Sequence, residues 1–261
     1  MNRLRILALA IAVTAPSADA RQQVLYEIGG AQPEDQLGRV VSGAGDVNAD
    51  GFSDFVLGGH LSDRGGRNAG LAEVYSGING SILYTYTGST GEGLGYVVSD
   101  VGDMDHDGHD DFALSSPYKN VIVGGIGGGL RTHAGMVDVR SGRDGSRIRS
   151  FAGSVSGMVL GRSMSGAGDT NNDGYPDIVF GSNTGVAWIH SGRDGIVLTT
   201  LTGIPGSSGP GLAVSSAGDF NGDGFDDVTG GDFAYQGFDG LIQVFSGLDG
   251  SELSRVVGSW P

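Results

Sequence analysis

Carboxylates and carboxamides recur in this chain at a spacing that suits the wrapping of a hard cation. The stretches DVNADGFSD from Asp46, DMDHDGHDD from Asp103, DTNNDGYPD from Asp169 and DFNGDGFDD from Asp219 share one design. Each sets side-chain oxygens at loop positions 1, 3, 5 and 9 and Gly at position 6, where a chain encircling an ion must turn sharply. The expected ligands are Asp46, Asn48, Asp50 and Asp54 in the first loop and Asp103, Asp105, Asp107 and Asp111 in the second. In the third they are Asp169, Asn171, Asp173 and Asp177, and in the fourth Asp219, Asn221, Asp223 and Asp227. Backbone carbonyls of Phe52, His109, Tyr175 and Phe225 fall at position 7. Carboxylates this close repel one another unless a cation sits among them, so the expected cofactor is Ca2+, up to four ions. Asp, Asn and Gly are also ordinary turn residues, and it is the fourfold repetition that favours metal. Position 12 holds Leu57, Leu114, Phe180 and Gly230 where an EF-hand needs its bidentate Glu, so these are not EF-hands.

The segments that must carry the loops read as β. Ahead of the loops lie LGRVVSGAG from Leu37, LGYVVSDVG from Leu94, LGRSMSGAG from Leu160 and LAVSSAG from Leu212. Behind them lie DFVLGG from Asp54, DFALSS from Asp111, DIVFGS from Asp177 and DVTGG from Asp227, so each loop joins two strands as a hairpin. Two more strands follow, around the turn dipeptides Asn79-Gly80, Asp144-Gly145, Asp194-Gly195 and Asp249-Gly250. The loops start 57, 66 and 50 residues apart, and four-stranded antiparallel units of that length are propeller blades. The predicted fold is therefore all-β, a β-propeller with four visible repeats at about 37–93, 94–159, 160–211 and 212–257.

Leu-Gly ahead of the first three loops, the GDxNxDGxxD loop and the Ser-Gly-x-Asp-Gly turn resemble the FG-GAP repeat of integrin α-subunit β-propellers, from about Leu37 to Val257. Secreted bacterial proteins built from the same repeat are similar. The resemblance implies that calcium loops hang from one propeller face, between the first two strands of each blade. The chain departs from the pattern in having Leu for the motif's Phe, Ala213 for its Gly in the fourth copy, and no full Gly-Ala-Pro. It has room for four blades where an integrin propeller has seven. VLYEIGG from Val24 and SELSRVV from Ser251 both read as outer strands, which makes five outer strands for four blades. The surplus strand is expected to remain an exposed edge, pad an outer blade, or pair with another molecule in a homo-oligomer.

Arg3 and Arg5, an apolar run from Ile6 to Ala15, and Ala18-Asp19-Ala20 read as a signal peptide over residues 1–20, cleaved near Ala20. The run is too short to span a bilayer. The expected location is therefore secreted, extracellular or periplasmic, with residues 21–261 forming one propeller domain. External calcium is plentiful enough to fill loops of millimolar affinity. The chain has no cysteine, so disulfides and thiolate metal sites are excluded. A net charge of −15 argues against nucleic acid as a partner. The 51 glycines fit a fold of many tight turns and close strands.

No sequence pattern for catalysis is present: His60, His106, His109, His133 and His190 are scattered, and there is no HExxH, GxSxG or P-loop. His106 and His109 read as exposed turn residues of the second loop. The most variable connections, HLSDRGGRNAG from His60, SPYKNVIVGGIGGGLRTHAG from Ser116 and GDFAYQGFDG from Gly231, belong to the face opposite the loops. Loops on a rigid scaffold are where recognition concentrates, and Arg64, Arg67, Tyr118, Lys119, Arg131, Phe233, Tyr235 and Phe238 are the candidates there. Trp188 reads as packing between blades, and Phe52, Phe55, Tyr175 and Phe225 as core. The expectation is a calcium-binding adhesion module, or one that binds an extracellular protein or glycan, without catalysis of its own. A propeller-borne extracellular hydrolase and a self-associating surface protein are the alternatives.

Overall fold

The computed structural model describes residues 6–7, 26–30, 32, 35–124, 128–204 and 207–258. Of the expected leader over residues 1–20, only the two-residue strand β1 (Ile6–Leu7) is described; it pairs with β2 (Glu27–Ile28), and the cleavage site lies outside the described residues. The rest is built from four antiparallel sheets of four strands, each contiguous in sequence. The first contains β3 (Val40–Gly45), β4 (Asp54–Gly59), β5 (Leu71–Tyr75) and β6 (Ile82–Thr87). The second has β7 (Val98–Gly102) and β8 (Asp111–Ser116), then a small hairpin, β9 (Val121–Val123) with β10 (Gly129–Arg131), then β11 (Met136–Arg140) and β12 (Arg147–Ala152). The third has β13 (Met164–Gly168), β14 (Asp177–Gly181), β15 (Ala187–His190) and β16 (Val197–Leu201). The fourth has β17 (Ala213–Gly218), β18 (Asp227–Asp232), β19 (Leu241–Phe245) and β20 (Glu252–Val257), with the single turn α1 (Tyr235–Phe238) before β19. These sheets are β-propeller blades. Counted back from the loop along β17, the residue matching the motif Gly161 is Gly211 rather than Ala213, since Ala213 faces Gly231 as the residue before Met164 would face Gly181.

Two local devices recur in every blade. The first strand slips register by one residue just before its loop, between Gly43 and Gly45, Asp100 and Gly102, Gly166 and Gly168, and Ser216 and Gly218. Such a bulge bends the strand and aims the loop that follows. The turn between the third and fourth strands ends in a left-handed glycine, Gly80, Gly145, Gly195 or Gly250, with φ of 70°, 72°, 79° and 73°. Only glycine takes that conformation without cost, which explains the Asn-Gly and Asp-Gly dipeptides.

The core lies between the blades. Val98, Phe112 and Leu114 of the second blade pack on Val56, Ala72 and Val74 of the first. Ile178 and Phe180 of the third pack on Val137, Val139 and Phe151 of the second, with Trp188 half-buried at this junction as expected. Val228 and Phe245 of the fourth pack on Val179, Ile189 and Leu201 of the third. The innermost strands approach so closely that a Cβ on Gly58 would meet the Gly95 carbonyl oxygen at 2.3 Å, and one on Gly181 the Gly211 oxygen at 2.2 Å. The outer strands of the first three blades reach over the next blade's turn: Tyr84 Oη donates to the Gly142 carbonyl at 2.7 Å, Arg149 to Gly192 at 3.2 Å, and Thr199 to Gly247 at 3.5 Å.

The blades form an arc. Strands β3, β7, β13 and β17 lie side by side in that order, and β17 has no comparable packing with β3. The described part of VLYEIGG, residues 26–30, does not add a strand to any of the four sheets. Its Tyr26 nevertheless donates to the Gly77 carbonyl at 3.2 Å and lays its ring on Gly80, as an outer strand does to the blade after it. Phe112 is fully buried against the Tyr84 and Tyr86 rings, with centroids 6.1 and 5.9 Å away. Phe112→Ala is expected to cost about 3–5 kcal/mol in urea unfolding; a loss below about 1 kcal/mol would show that this junction does not carry the fold.

Candidate metal centre

All four acidic loops adopt one backbone path. Position 4 is left-handed in each, with φ of 54° at Ala49, 59° at His106, 56° at Asn172 and 77° at Gly222. Position 6 is left-handed as well, with φ of 88° at Gly51, 89° at Gly108, 86° at Gly174 and 90° at Gly224. That path folds the side chains inward. Asp46 accepts from the Asp50 and Gly51 amides at 2.9 and 2.8 Å, and Asp103, Asp169 and Asp219 accept from the corresponding amides. Asn48, Asn171 and Asn221 accept from the Asp50, Asp173 and Asp223 amides through their Oδ1 atoms. Asp50, Asp107, Asp173 and Asp223 in turn accept from the amides of Phe52, His109, Tyr175 and Phe225. In the second loop, oxygens of Asp103, Asp105 and Asp111 converge within 4.8 Å of one another. An all-oxygen set rich in carboxylates fits a hard divalent cation and does not suit a soft one.

The ninth residue has a second task that spacing alone did not reveal. Asp54, Asp111, Asp177 and Asp227 are at most 2% exposed. Their Oδ1 atoms accept from the Gly77, Gly142, Gly192 and Gly247 amides at 2.9, 2.9, 3.0 and 3.1 Å, tying the loop to the turn between the third and fourth strands. Their Oδ2 atoms accept from the loop's own start, at the Met104, Thr170 and Phe220 amides in the last three copies and the Asn48 amide in the first. Burial pushes the Asp111 carboxyl up to about 7, a rise partly offset by its amide bonds and reinforced by Asp105 and Asp103. Burial likewise pushes Asp177 up to about 6 and raises Asp54.

Position 8, which the ligand pattern leaves unassigned, joins neighbouring loops. Asp110 accepts from the Asp46 amide of the previous loop at 2.7 Å, and Asp226 from the Asp169 amide at 2.8 Å. The only sequence signal was the doubled aspartate, Asp110-Asp111 and Asp226-Asp227. His109 Nδ1 lies 2.8 Å from the Val47 carbonyl, and the His106 ring stacks on Tyr175 at 4.0 Å, so both histidines bridge loops rather than hang free. Phe55 stacks on Tyr75, but Phe52 is 53% exposed, and Tyr175 and Phe225 are only half-buried, so of these four the reading as core fails for Phe52. A residue two places before a strand projects from the loop and does not follow the strand's alternation.

On the opposite face, His60, Leu61, Asn68, Gly91, Gly93, Tyr118 and His133 line a cleft of about 260 Å³ between the first two blades. The rings on its wall are linked in a chain, His60 and Tyr118 each contacting Tyr96 behind them at 4.7 and 5.8 Å, and Tyr118 meeting His133 at 6.1 Å. Burial, then the charge of Arg39, lowers the His60 pKa. Of the basic and aromatic candidates, Tyr118 lines this cleft, while Lys119 pairs with Glu92 at 2.7 Å beside it. Arg67 is exposed and Arg131 lies in β10. Arg64 is held between Asp35 and Glu73, so it is a packing residue and not a free cation. Phe233 and Phe238 are exposed and 6.4 Å apart in the fourth blade, far along the arc, and Tyr235 is buried.

Because folding raises the Asp111 pKa above its ordinary 3.8, the contribution of this group to stability is complete below that value and is lost as pH rises through about 7. In chelator, stability is expected to fall by on the order of 1–3 kcal/mol between about pH 5 and about pH 7.5. Asp111→Asn should flatten that slope in urea melts; an unchanged slope would show that the carboxyl titrates as in the unfolded chain.

Residues 169–229 match the family model described as an FG-GAP-like repeat. The chain is 27% identical over 172 residues to integrin alpha-4 of Xenopus laevis, covering 61% of this chain and 15% of that protein. It is 30% identical over 182 residues to integrin alpha-IIb of Homo sapiens, covering 63% and 16%. The chain thus spans less than a fifth of the length of either relative. Among solved structures, the exotype rhamnogalacturonan lyase YesX aligns with a TM-score of 0.49 and 16% identity over 82% of this chain and 40% of that one. No helix among the described residues is long and apolar enough to cross a membrane. Four repeated blades, four repeated loops and these matches converge on one likeness: the chain contains an FG-GAP-like repeat and resembles the integrin α-subunit β-propeller.

Proposed function

We propose that this chain is an exported, calcium-stabilised propeller that acts as a binding or adhesion module, with its ligand, a glycan or protein, on the face away from the acidic loops. The observation that carries the calcium part is the convergence of Asp103, Asp105 and Asp111 within 4.8 Å, on a backbone path shared by all four loops. Asp103, Asp105, Asp107, Asp111 and the His109 carbonyl would hold the ion in the second loop, and equivalent residues would hold it in the others. A bound divalent cation supplies the positive charge that offsets carboxylate repulsion. The chain's own residues do the rest. Asp110 and Asp226 transmit the order of one loop to its neighbour, and the ninth-position carboxylates transmit it into the blade.

The binding part rests on the ring-walled cleft. Aromatic faces pack well against the C–H faces of pyranose rings, and the Asn68 side chain offers both donor and acceptor. A cleft of about 260 Å³ is open enough for one or two sugar residues or an aromatic peptide side chain, and no catalytic pair is needed there.

Thermal unfolding of residues 21–261 in chelator and across a calcium titration tests the first part. The melting temperature should climb with calcium, with stabilisation approaching about 2.7 kcal/mol at a hundredfold excess over Kd. Asp107→Ala should blunt the rise; a flat melting temperature in wild type would overturn the calcium assignment. For the second part, a glycan and matrix-protein panel is probed with wild type and Tyr118→Ala. Binding weakened about tenfold or more by Tyr118→Ala and untouched by Phe233→Ala would support the cleft. Turnover of any panel member by the wild-type protein would replace the binding reading with an enzymatic one.

A further inference from the structure

We propose that two copies of this chain close head to tail into one ring, the open face of the fourth blade in each copy receiving the first blade of the other. The three internal junctions define what that face is built for. On the side of each blade turned to its successor, the third strand presents Ala72 and Val74, Val137 and Val139, or Ala187 and Ile189, all fully buried. Strand register assigns Ile242 and Val244 to those places in the fourth blade, since Ile242 faces Val256 as Ala187 faces Leu201. Ile242 is 55% exposed there and Val256 is 65% exposed, whereas Leu201 is fully buried. Ala213, Gly231, Ile242 and Val256 line an apolar groove of about 350 Å³ where a following blade would seat.

The other end of the arc carries the matching half. Val41 pairs with Leu57 as Val98 pairs with Leu114 and Met164 with Phe180. Val98 and Met164 are 4% and 5% exposed against the preceding blade, but Val41 is 57% exposed, with no blade before it among the described residues. Tyr26 holds the place over Gly77 and Gly80 that a preceding outer strand would take. In the pair, β20 of the partner takes that place and Tyr26 is displaced. The occupant is a second copy because the interface continues one that the chain already makes three times, and because the count closes. Four blades leave an arc, and two arcs give eight blades, within the known range of four to eight. The two junctions are identical and related by a twofold axis, so the assembly ends at two copies.

The test is the mass of residues 21–261 in calcium by sedimentation equilibrium, with three variants. The expected result is twice the chain mass, falling to one chain mass for Ile242→Asp and for Val256→Lys, with circular-dichroism spectra of the folded chain retained because both side chains are exposed in the single chain. Tyr26→Ala should dimerise at least as tightly as wild type. A wild-type monomer at about 100 μM, a dimer indifferent to both face variants, a dimer weakened by Tyr26→Ala, or an open-ended series of larger species would each overturn the proposal.

Discussion

A carboxylate cut off from water lies at the heart of every blade, and the rest of the architecture is arranged around it. Asp54, Asp111, Asp177 and Asp227 each hold the start of the acidic loop with one oxygen and the turn between the third and fourth strands with the other. The turn comes close enough only because its Ser-Gly glycine lacks a side chain. A Cβ on Gly77, Gly142, Gly192 or Gly247 would lie 1.9, 2.1, 1.8 or 1.9 Å from the carbonyl oxygen of the loop's eighth residue. Loop, turn and buried charge therefore form one unit, and none of the three can be altered alone. Leaving such a carboxylate without its amide partners would expose the full cost of a buried charge.

That cost gives the loops their direction of response. Burial opposes ionisation of Asp54, Asp111 and Asp177, and the carboxylates at positions 1 and 3 oppose it further in the second loop. Amide bonds offset part of this, and a cation would offset the remainder. Links through Asp110, through the stacked His106 and Tyr175, and through Asp226 run along the row of loops from the first to the fourth. These links leave no loop in the row without a direct contact to a neighbouring loop.

Much of this was legible in the residues, and what was not has a common cause. The loops, the four-stranded units and the turn dipeptides show in the sequence because each is set by neighbours within about ten residues, through alternation, turn chemistry and ligand spacing. The burial of Arg64 against Asp35, the Asp110 clamp and the bridging histidines depend on residues that meet across a junction and share no local pattern. Phe52 misled for the same reason, since a phenylalanine beside a strand reads as core until the loop is seen to carry it outward. The segment from Val24 was read as an outer strand of a blade; its described part, residues 26–30, covers the first blade through Tyr26 and belongs to none of the four sheets.

The junctions show how a repeat can vary without losing its fold. The first is aromatic, with Tyr84, Tyr86 and Phe112 in mutual contact and Arg140 lying over Tyr86. The second keeps two aromatics, Phe151 and Phe180, and turns His190 onto both. The third is mostly aliphatic, with Leu201, Ile189 and Val179 against Val228 and Phe245. Side-chain volume migrates from one side of the junction to the other, while the backbone spacing is held by the glycines and the buried aspartate. Packing demands only that the two faces of a junction complement each other, so blades can diverge in pairs. The same tolerance frees the connections on the far face to change, which is where the ring-walled cleft has formed.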